Sequence, residues 1–318
     1  ALLASLGLLN SVGSDLSDQV GLFLLACSPA FISGFIEDIT KKIGPNMRLW
    51  ASFLSGLLAL LFFDVVIDDI SIPLVNDLLR WYPMAVLFSV VSVGGVAHAV
   101  NIVDGYNGLA GMVSALMLGA IGWVGWSVGD HTICITSAML AGGTLGLFFW
   151  NWPRAKMFAG DGGAYLWGVG LGILVLLLVG RNDSVSPWFG LLVLGYPVTE
   201  TGFTVYRRKF LHNTAPGLPD ARHLHQLIYR RVLGAESLPR GDIRRDRLNS
   251  ATSPFLWCLS LIAIVPAALF WNKTEWLMMF TGVFVLAYMW LYRCIVQFKT
   301  PQLLRWIGKR VALHSQIG

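Results

Sequence analysis

An all-α bundle of membrane-spanning helices is the fold this sequence predicts, and three observations predict it. Apolar residues make up 55% of the 318 while only 13% are charged, and the mean hydropathy is +0.65. No soluble core hides that much apolar side chain, so the excess belongs in lipid. Those residues also fall in runs, near 19–36, 49–66, 83–103, 108–128, 132–150, 161–180, 187–206, 253–271 and 276–292. Each is close to the roughly 20 residues that cross the hydrocarbon layer. Finally, twenty of the 23 Lys and Arg lie on one side, around 37–48, 151–160, 207–252 and after 292. Only Arg80, Arg181 and Lys273 lie on the other, and this asymmetry places the basic side in the cytoplasm.

About nine full spans in one integral-membrane domain, 1–318, are therefore expected. A further run, Ala1 to about Asn10, is too short to cross. It reads as the tail of a truncated helix rather than a signal peptide, since no basic stretch precedes it and no small-residue cleavage site follows. External connections such as Gly129-Asp130-His131 are too short to fold a domain, so the work is done inside or within the membrane. The one long connection, 207–252, is Arg-rich and broken by Pro216, Pro219 and Pro239. Its middle, Ala221 to Leu233, suits a short helix capped by Asp220. The basic charge suits anionic lipid or a phosphorylated substrate, and nucleic acid is not needed to explain it. Cys27, Cys134, Cys258 and Cys294 lack metal-site spacing and read as small buried apolar residues.

Four constellations carry chemistry, all on the predicted cytoplasmic side. The first, Gly34-Phe35-Ile36-Glu37-Asp38-Ile39-Thr40-Lys41-Lys42 with Arg48, pairs adjacent carboxylates with cations, a set able to hold Mg²⁺ or position a phosphate. The second is Asn101-Ile102-Val103-Asp104-Gly105-Tyr106-Asn107-Gly108. Here Asn101, Asp104 and Asn107 recur every third residue, so a helical end would put them on one side, and Asp104 has no local cation to offset its charge. The third, Asn151-Trp152-Pro153-Arg154-Ala155-Lys156-Met157-Phe158-Ala159-Gly160-Asp161, sets Asp161 on a glycine turn as a metal ligand. Lys156 would then reach phosphate, and Phe158 would offer a face for a base. The fourth, Arg222-His223-Leu224-His225-Gln226, has imidazoles at i and i+2. That spacing does not share a helical face for zinc but can grip a pyrophosphate beside Arg222. Each motif alone has a plainer reading: a solvated helix end, a simple turn, an N-cap or a basic loop. Glu200, above the cytoplasmic end of its span, is either paired structurally or supports the site. His98 reads as a packing residue, and Asp64, Asp68, Asp69 and Asp77 as solvated charges on the opposite face.

In order and spacing these four motifs resemble the polyprenyl-phosphate N-acetylhexosamine-1-phosphate transferases, glycosyltransferase family 4. That pattern has an acidic pair after an early span, an Asn-x-x-Asp-Gly hairpin, a Phe-x-Gly-Asp turn and a late His-x-His loop. The resemblance implies transfer of a sugar 1-phosphate from a UDP-N-acetylated sugar to undecaprenyl phosphate, with Mg²⁺ as cofactor and release of UMP. It implies a multi-pass protein of the bacterial inner membrane with a cytoplasmic active site. Asp161 matches the family's magnesium aspartate, and Asp104 with Asn101 and Asn107 matches positions near nucleotide and metal. Asn151 and Phe158 match uracil contacts. Glu37 and Asp38 match the pair that handles the lipid phosphate; beside the resemblance, Lys42, Arg48 and Lys156 read from charge and position as cations for the phosphates. Arg222, His223 and His225 match the diphosphate and sugar loop.

The sequence departs from the family at Glu37, where a first Asp is usual, at Asn107, where many members have Asp, and at Gln226, where a further His is common. By the same resemblance, the family's first span and first cytoplasmic loop are expected to be absent from this sequence. The lack of a His-His-His run disfavours peptidoglycan precursor synthesis and favours initiation of O-antigen or another surface polysaccharide. Expected partners are the UDP-sugar, undecaprenyl phosphate, the lipid bilayer and, as an open assembly state, a second copy in a homodimer. A transporter using a carboxylate ion site is the alternative and predicts charges near mid-span. An intramembrane aspartyl protease would need a second aspartate facing Asp161.

Overall fold

The computed structural model describes residues 14–211, 222–239, 242–302, 304–308 and 310, so the run Ala1 to Asn10 and Asp220 lie outside the described residues. The described residues form twelve α-helices: α1 Ser14–Thr40, α2 Pro45–Phe63, α3 Pro73–Leu79, α4 Tyr82–Val103, α5 Leu109–Ser127 and α6 His131–Asn151, then α7 Gly160–Arg181, α8 Pro187–Val193, α9 Gly195–Tyr206, α10 Leu224–Leu227, α11 Arg244–Leu269 and α12 Thr274–Val296. No strand occurs among the described residues. Eight helices are long and apolar enough to span: α1, α2, α4, α5, α6, α7, α11 and α12. At 1.5 Å per residue, 19 to 27 residues reach about 28 to 40 Å, enough for a hydrocarbon layer of about 30 Å. The chain is a multi-pass membrane protein.

The ninth expected span, 187–206, is corrected in form. It is divided into α8 and α9 at Leu194. The cause is local, because Pro197 has no N–H to offer the Val193 carbonyl and its ring crowds that oxygen. Ser186 starts the first piece by accepting from Trp188 N at 3.3 Å. Beyond Tyr206 the helix continues as a π-helical turn, Arg207–Leu211.

The most enclosed helix is α7, which packs against α1 and α4. In lipid, water gives no drive for apolar helices to associate, and close backbone approach through small residues takes its place. Accordingly, a Cβ on Gly168 of α7 would come within 2.4 Å of Ala97 Cα on α4. A Cβ on Gly34 of α1 would come within 2.7 Å of the Asp161 backbone. Outside this centre, Trp50, Leu61, Phe149, Leu286 and Trp290 stay exposed, as lipid-facing side chains do. The cysteine expectation holds for buried Cys27 only; Cys134 and Cys294 are half-buried and Cys258 is exposed.

Candidate active site

One end of α1, α4 and α7 brings three of the four motifs together. Helix α7 begins at Gly160 without a side-chain cap from its own segment. Asp38 supplies that cap from α1, accepting from Asp161 N through Oδ1 at 2.9 Å and from Gly162 N through Oδ2 at 2.9 Å. A carboxylate there satisfies two orphan N–H groups and meets the positive end of the helix dipole. Gly160, at φ +65°, makes room, since a Cβ on it would lie 2.4 Å from Asp38 Oδ2. The N-cap reading weighed for Asp161 is thus filled by Asp38, which leaves the Asp161 side chain for other partners. Glu37 is also engaged by backbone, accepting from Ile43 N at 2.7 Å and holding the turn into α2.

The Asp161 carboxylate is gripped by two motif residues. Asn101 Nδ2 donates to Oδ1 at 3.0 Å, and Arg48 Nη1 pairs with Oδ2. Arg48 sits in the first turn of α2, where the helix dipole disfavours a cation, and Asp161 compensates it. Its side chain is only 14% exposed, its guanidinium lies 5.7 Å from the Tyr165 ring centroid, and its buried Nε has no partner. Tyr165 OH lies 3.2 Å from His98 Nδ1, so His98 packs behind this cluster, but its buried Nε2 has no partner among the described residues and the ring is only half satisfied.

Asp104 caps the end of α4, with its N–H bonded to Asn101 O at 3.2 Å. Its carboxyl is pushed up to about 7, first by desolvation in the recess and then by the nearby Asp161 and Asp38. The residue itself is exposed, so neighbouring protein crowds its carboxyl without sealing it from solvent. A carboxyl raised in the folded state is protonated at lower pH without penalty and opposes folding as pH rises from its usual 3.8 through about 7. Asp104→Asn is therefore expected to raise the Tm at pH 8 in chelator, with little change at pH 4. Equal shifts at both pH values would contradict this account.

Asn107 does not share that side. The helix ends at Val103, and Asn107 turns toward α11, donating through Nδ2 to Ser250 Oγ at 3.0 Å and to Pro153 O at 3.3 Å. The expectation of three residues on one face is corrected to two, Asn101 and Asp104. An Asp at 107 would set a carboxylate against the Pro153 carbonyl and lose both donors, a cost of about 1–3 kcal/mol. Asn107→Asp should lower the Tm by several degrees, and an unchanged Tm would show these bonds to be dispensable.

The α11 start ties the hairpin to the 151–160 turn. Ser253 Oγ donates to Asn107 O at 2.6 Å, Trp257 Nε1 to Gly108 O at 3.2 Å, and Trp152 Nε1 to Ser250 O at 3.0 Å. Asn151 bridges the same two loops, accepting from Gly108 N and donating to Met157 O at 2.6 Å. Sequence reasoning did not single out Ser250, Ser253 or Trp257; their only signal is a polar, basic start to an otherwise apolar run. Lys42, Lys156 and Phe158 are exposed, and Lys156 Nζ lies 5.8 Å from the Trp150 ring centroid.

The His loop joins from another direction. His223, rather than the anticipated Asp220, is the N-cap of α10, and its N–H reaches Gln226 Oε1 at 3.2 Å. The His223 and His225 rings stack at 5.3 Å between centroids. His225 Nε2 lies 3.2 Å from where a Cβ on Gly105 would stand, so glycine there lets the loop dock on the hairpin. Tyr292 OH donates to Arg222 O at 3.1 Å.

Residues 20–179 match the family model for glycosyl transferase family 4, half of this chain and three of the four motifs. The chain belongs to glycosyl transferase family 4. It is similar to a probable undecaprenyl-phosphate N-acetylglucosaminyl 1-phosphate transferase of Bacillus subtilis, 33% identical over 168 residues, 51% of this chain and 45% of the relative. A phospho-N-acetylmuramoyl-pentapeptide-transferase of Clostridium botulinum (strain Eklund 17B) is 31% identical over 190 residues, 57% of each chain. An undecaprenyl-phosphate alpha-N-acetylglucosaminyl 1-phosphate transferase of Escherichia coli O157:H7 is 25% identical over 215 residues, 65% of this chain and 57% of the relative. The chain spans about half the length of the curated relatives it matches.

Proposed function

We propose that this family 4 chain transfers an N-acetylated sugar 1-phosphate from a UDP-sugar to undecaprenyl phosphate, releasing UMP on the cytoplasmic face of the bacterial inner membrane. One observation carries the reading: Asp38, Arg48, Asn101 and Asp161, far apart in sequence, meet at a single helix end on the basic side of the bundle. An acceptor phosphate oxygen would attack the phosphorus that bears the sugar, and the bond from that phosphorus to the bridging oxygen of UMP would break. Such a step needs positioning and charge neutralisation more than a protein nucleophile.

Mg²⁺ fits the donor set. Among the described residues no three His, Cys, Asp or Glu side chains form a ready cage. Magnesium, however, is commonly held by one or two carboxylates with water and substrate phosphate. Asp161 and Asp104 would provide the carboxylates, and the desolvation and then the carboxylate repulsion that raise Asp104 are what a divalent cation would offset. When bound, the ion would neutralise developing charge on the diphosphate oxygens. Asp38 and Glu37 shape the turns around it, Arg48 and the exposed Lys42 and Lys156 attract the anionic substrates, and Phe158 offers a ring to the base.

The two kinds of named relative match at similar identity, so the choice between them rests on the loop at 223–226. Its His-Leu-His-Gln sequence, without three consecutive histidines, supports surface-polysaccharide initiation, as for O-antigen. The site carboxylates Glu37, Asp38, Asp104 and Asp161 gather at helix ends, which favours a transferase over a transporter. The test is UMP release by the purified protein with undecaprenyl phosphate and Mg²⁺ across a panel of UDP-N-acetylated sugars. Lipid-dependent release with one donor supports the reading, and silence across the panel in folded protein overturns it.

A further inference from the structure

Glu200 is the one fully enclosed carboxylate among the described residues, at 1% exposure in the middle of α9. A carboxylate taken out of water costs several kcal/mol unless charge-assisted bonds replace its hydration, and an all-apolar helix contact would be at least as stable. Its partners show what that carboxylate holds. Oε1 lies 3.0 Å from His223 Nδ1, the Leu224 N–H lies 3.4 Å and 3.2 Å from the two oxygens, and Tyr288 OH on α12 donates to Oε2 at 2.8 Å. Thr204 Oγ1, one turn along α9, lies 3.3 Å from the same Nδ1.

As a carboxylate, Glu200 can only accept, so the proton on His223 is assigned to Nδ1. The ring is then fixed with Nδ1–H turned inward and Nε2 on the opposite edge. The same division of labour orients a catalytic imidazole beside a buried aspartate, where the acid sets tautomer and angle without itself reacting. Loss of such a partner leaves the ring free to rotate and to carry its proton on the wrong nitrogen.

From this geometry we infer that Glu200 is a positioning residue, which presents His223 Nε2 to the diphosphate of the nucleotide-sugar and docks the His loop onto α9 and α12. The inference rests on the transferase reading for the ligand but not for the tautomer. With the ring protonated, both nitrogens donate, one to Glu200 and the other to a phosphate oxygen, and Glu200 balances the charge. Tyr288 supports Glu200 from behind and does not touch the ring.

Two measurements on the full chain test this. In ¹⁵N-histidine-labelled protein, with the His223 signal assigned by its loss in His223→Asn, the wild type should show a protonated Nδ1 that Glu200→Leu, which offers the ring no acceptor, loses or mixes. In steady-state kinetics, Glu200→Gln should raise the donor KM at least tenfold with kcat changed less than threefold, while Tyr288→Phe changes the donor KM less than threefold. An unaltered His223 signal in folded Glu200→Leu overturns the inference, as does an equal kinetic effect of Glu200→Gln and Tyr288→Phe, which would mean packing alone. If the wild type releases no UMP with any donor, the transferase reading fails and the nitrogen signal still decides the positioning role.

Discussion

Asp161→Asn is expected to abolish lipid-dependent UMP release, a loss of at least 10³-fold, in protein that still inserts and folds. Asparagine keeps the shape and can still accept from Asn101, so the hydrogen bond at 3.0 Å need not vanish. What it removes is the charge that faces Arg48 and would face a cation. Arg48, largely enclosed, is then left without its counter-ion at a helix start that already disfavours it. Removing one partner of an enclosed pair costs more than removing both, because the remaining charge is uncompensated. The substitution should therefore also lower the Tm, and Asp161→Asn with Arg48→Gln should recover part of that loss without recovering turnover. Activity within tenfold of the parent in Asp161→Asn would remove Asp161 from the metal role. Recovery of turnover in the double variant would mean that charge balance, not metal binding, was at stake.

Much of this architecture is legible in the sequence, because membrane spans announce themselves by length and apolarity, and lipid leaves the backbone no alternative to a helix. The break at Leu194 escaped because an apolar count does not register Pro197, whose effect is on backbone bonding rather than hydropathy. At the site, residue types and order pointed to loops that the fold brings together, since a carboxylate at a span boundary demands a partner. The partners themselves were not legible: Asp38 and Asp161 are 123 residues apart, and only the crossing of α1 with α7 joins them. A signal was present in Gly34, one turn before Asp38, and Gly162, one residue after Asp161, the small residues at that crossing. Asn107 misled because a three-residue spacing implies a shared face only while the helix continues, and α4 stops at Val103.

The Asp38 geometry leads to the second large effect. As the cap of α7 it fixes the backbone from which the Asp161 side chain springs, through two bonds at 2.9 Å. Asp38→Ala leaves two N–H groups and the helix dipole unanswered, and an N-cap lost to Ala costs about 0.5–2 kcal/mol. The catalytic cost should be larger than the stability cost, because a shift of about 1 Å in a positioned group can reduce turnover about 10²-fold. Asp38→Ala is therefore expected to lose at least 10²-fold in kcat. Asp38→Asn, a nearly equivalent cap in rank, should keep one of the two acceptor bonds and a tenfold or greater advantage over Ala. A proton acceptor or covalent nucleophile at this position predicts otherwise, since an amide can serve as neither and Asn would be as inactive as Ala. Gly160→Ala separates the same alternatives from the other side of the contact. A Cβ there would meet Asp38 Oδ2 at 2.4 Å on a residue at φ +65°, pushing the cap away while leaving the Asp38 carboxylate chemically intact. If Asp38 acts by holding α7, Gly160→Ala should lose activity comparably to Asp38→Ala. Near-parental turnover in Gly160→Ala, with Asp38→Asn inactive, would make Asp38 a reacting group and not a cap.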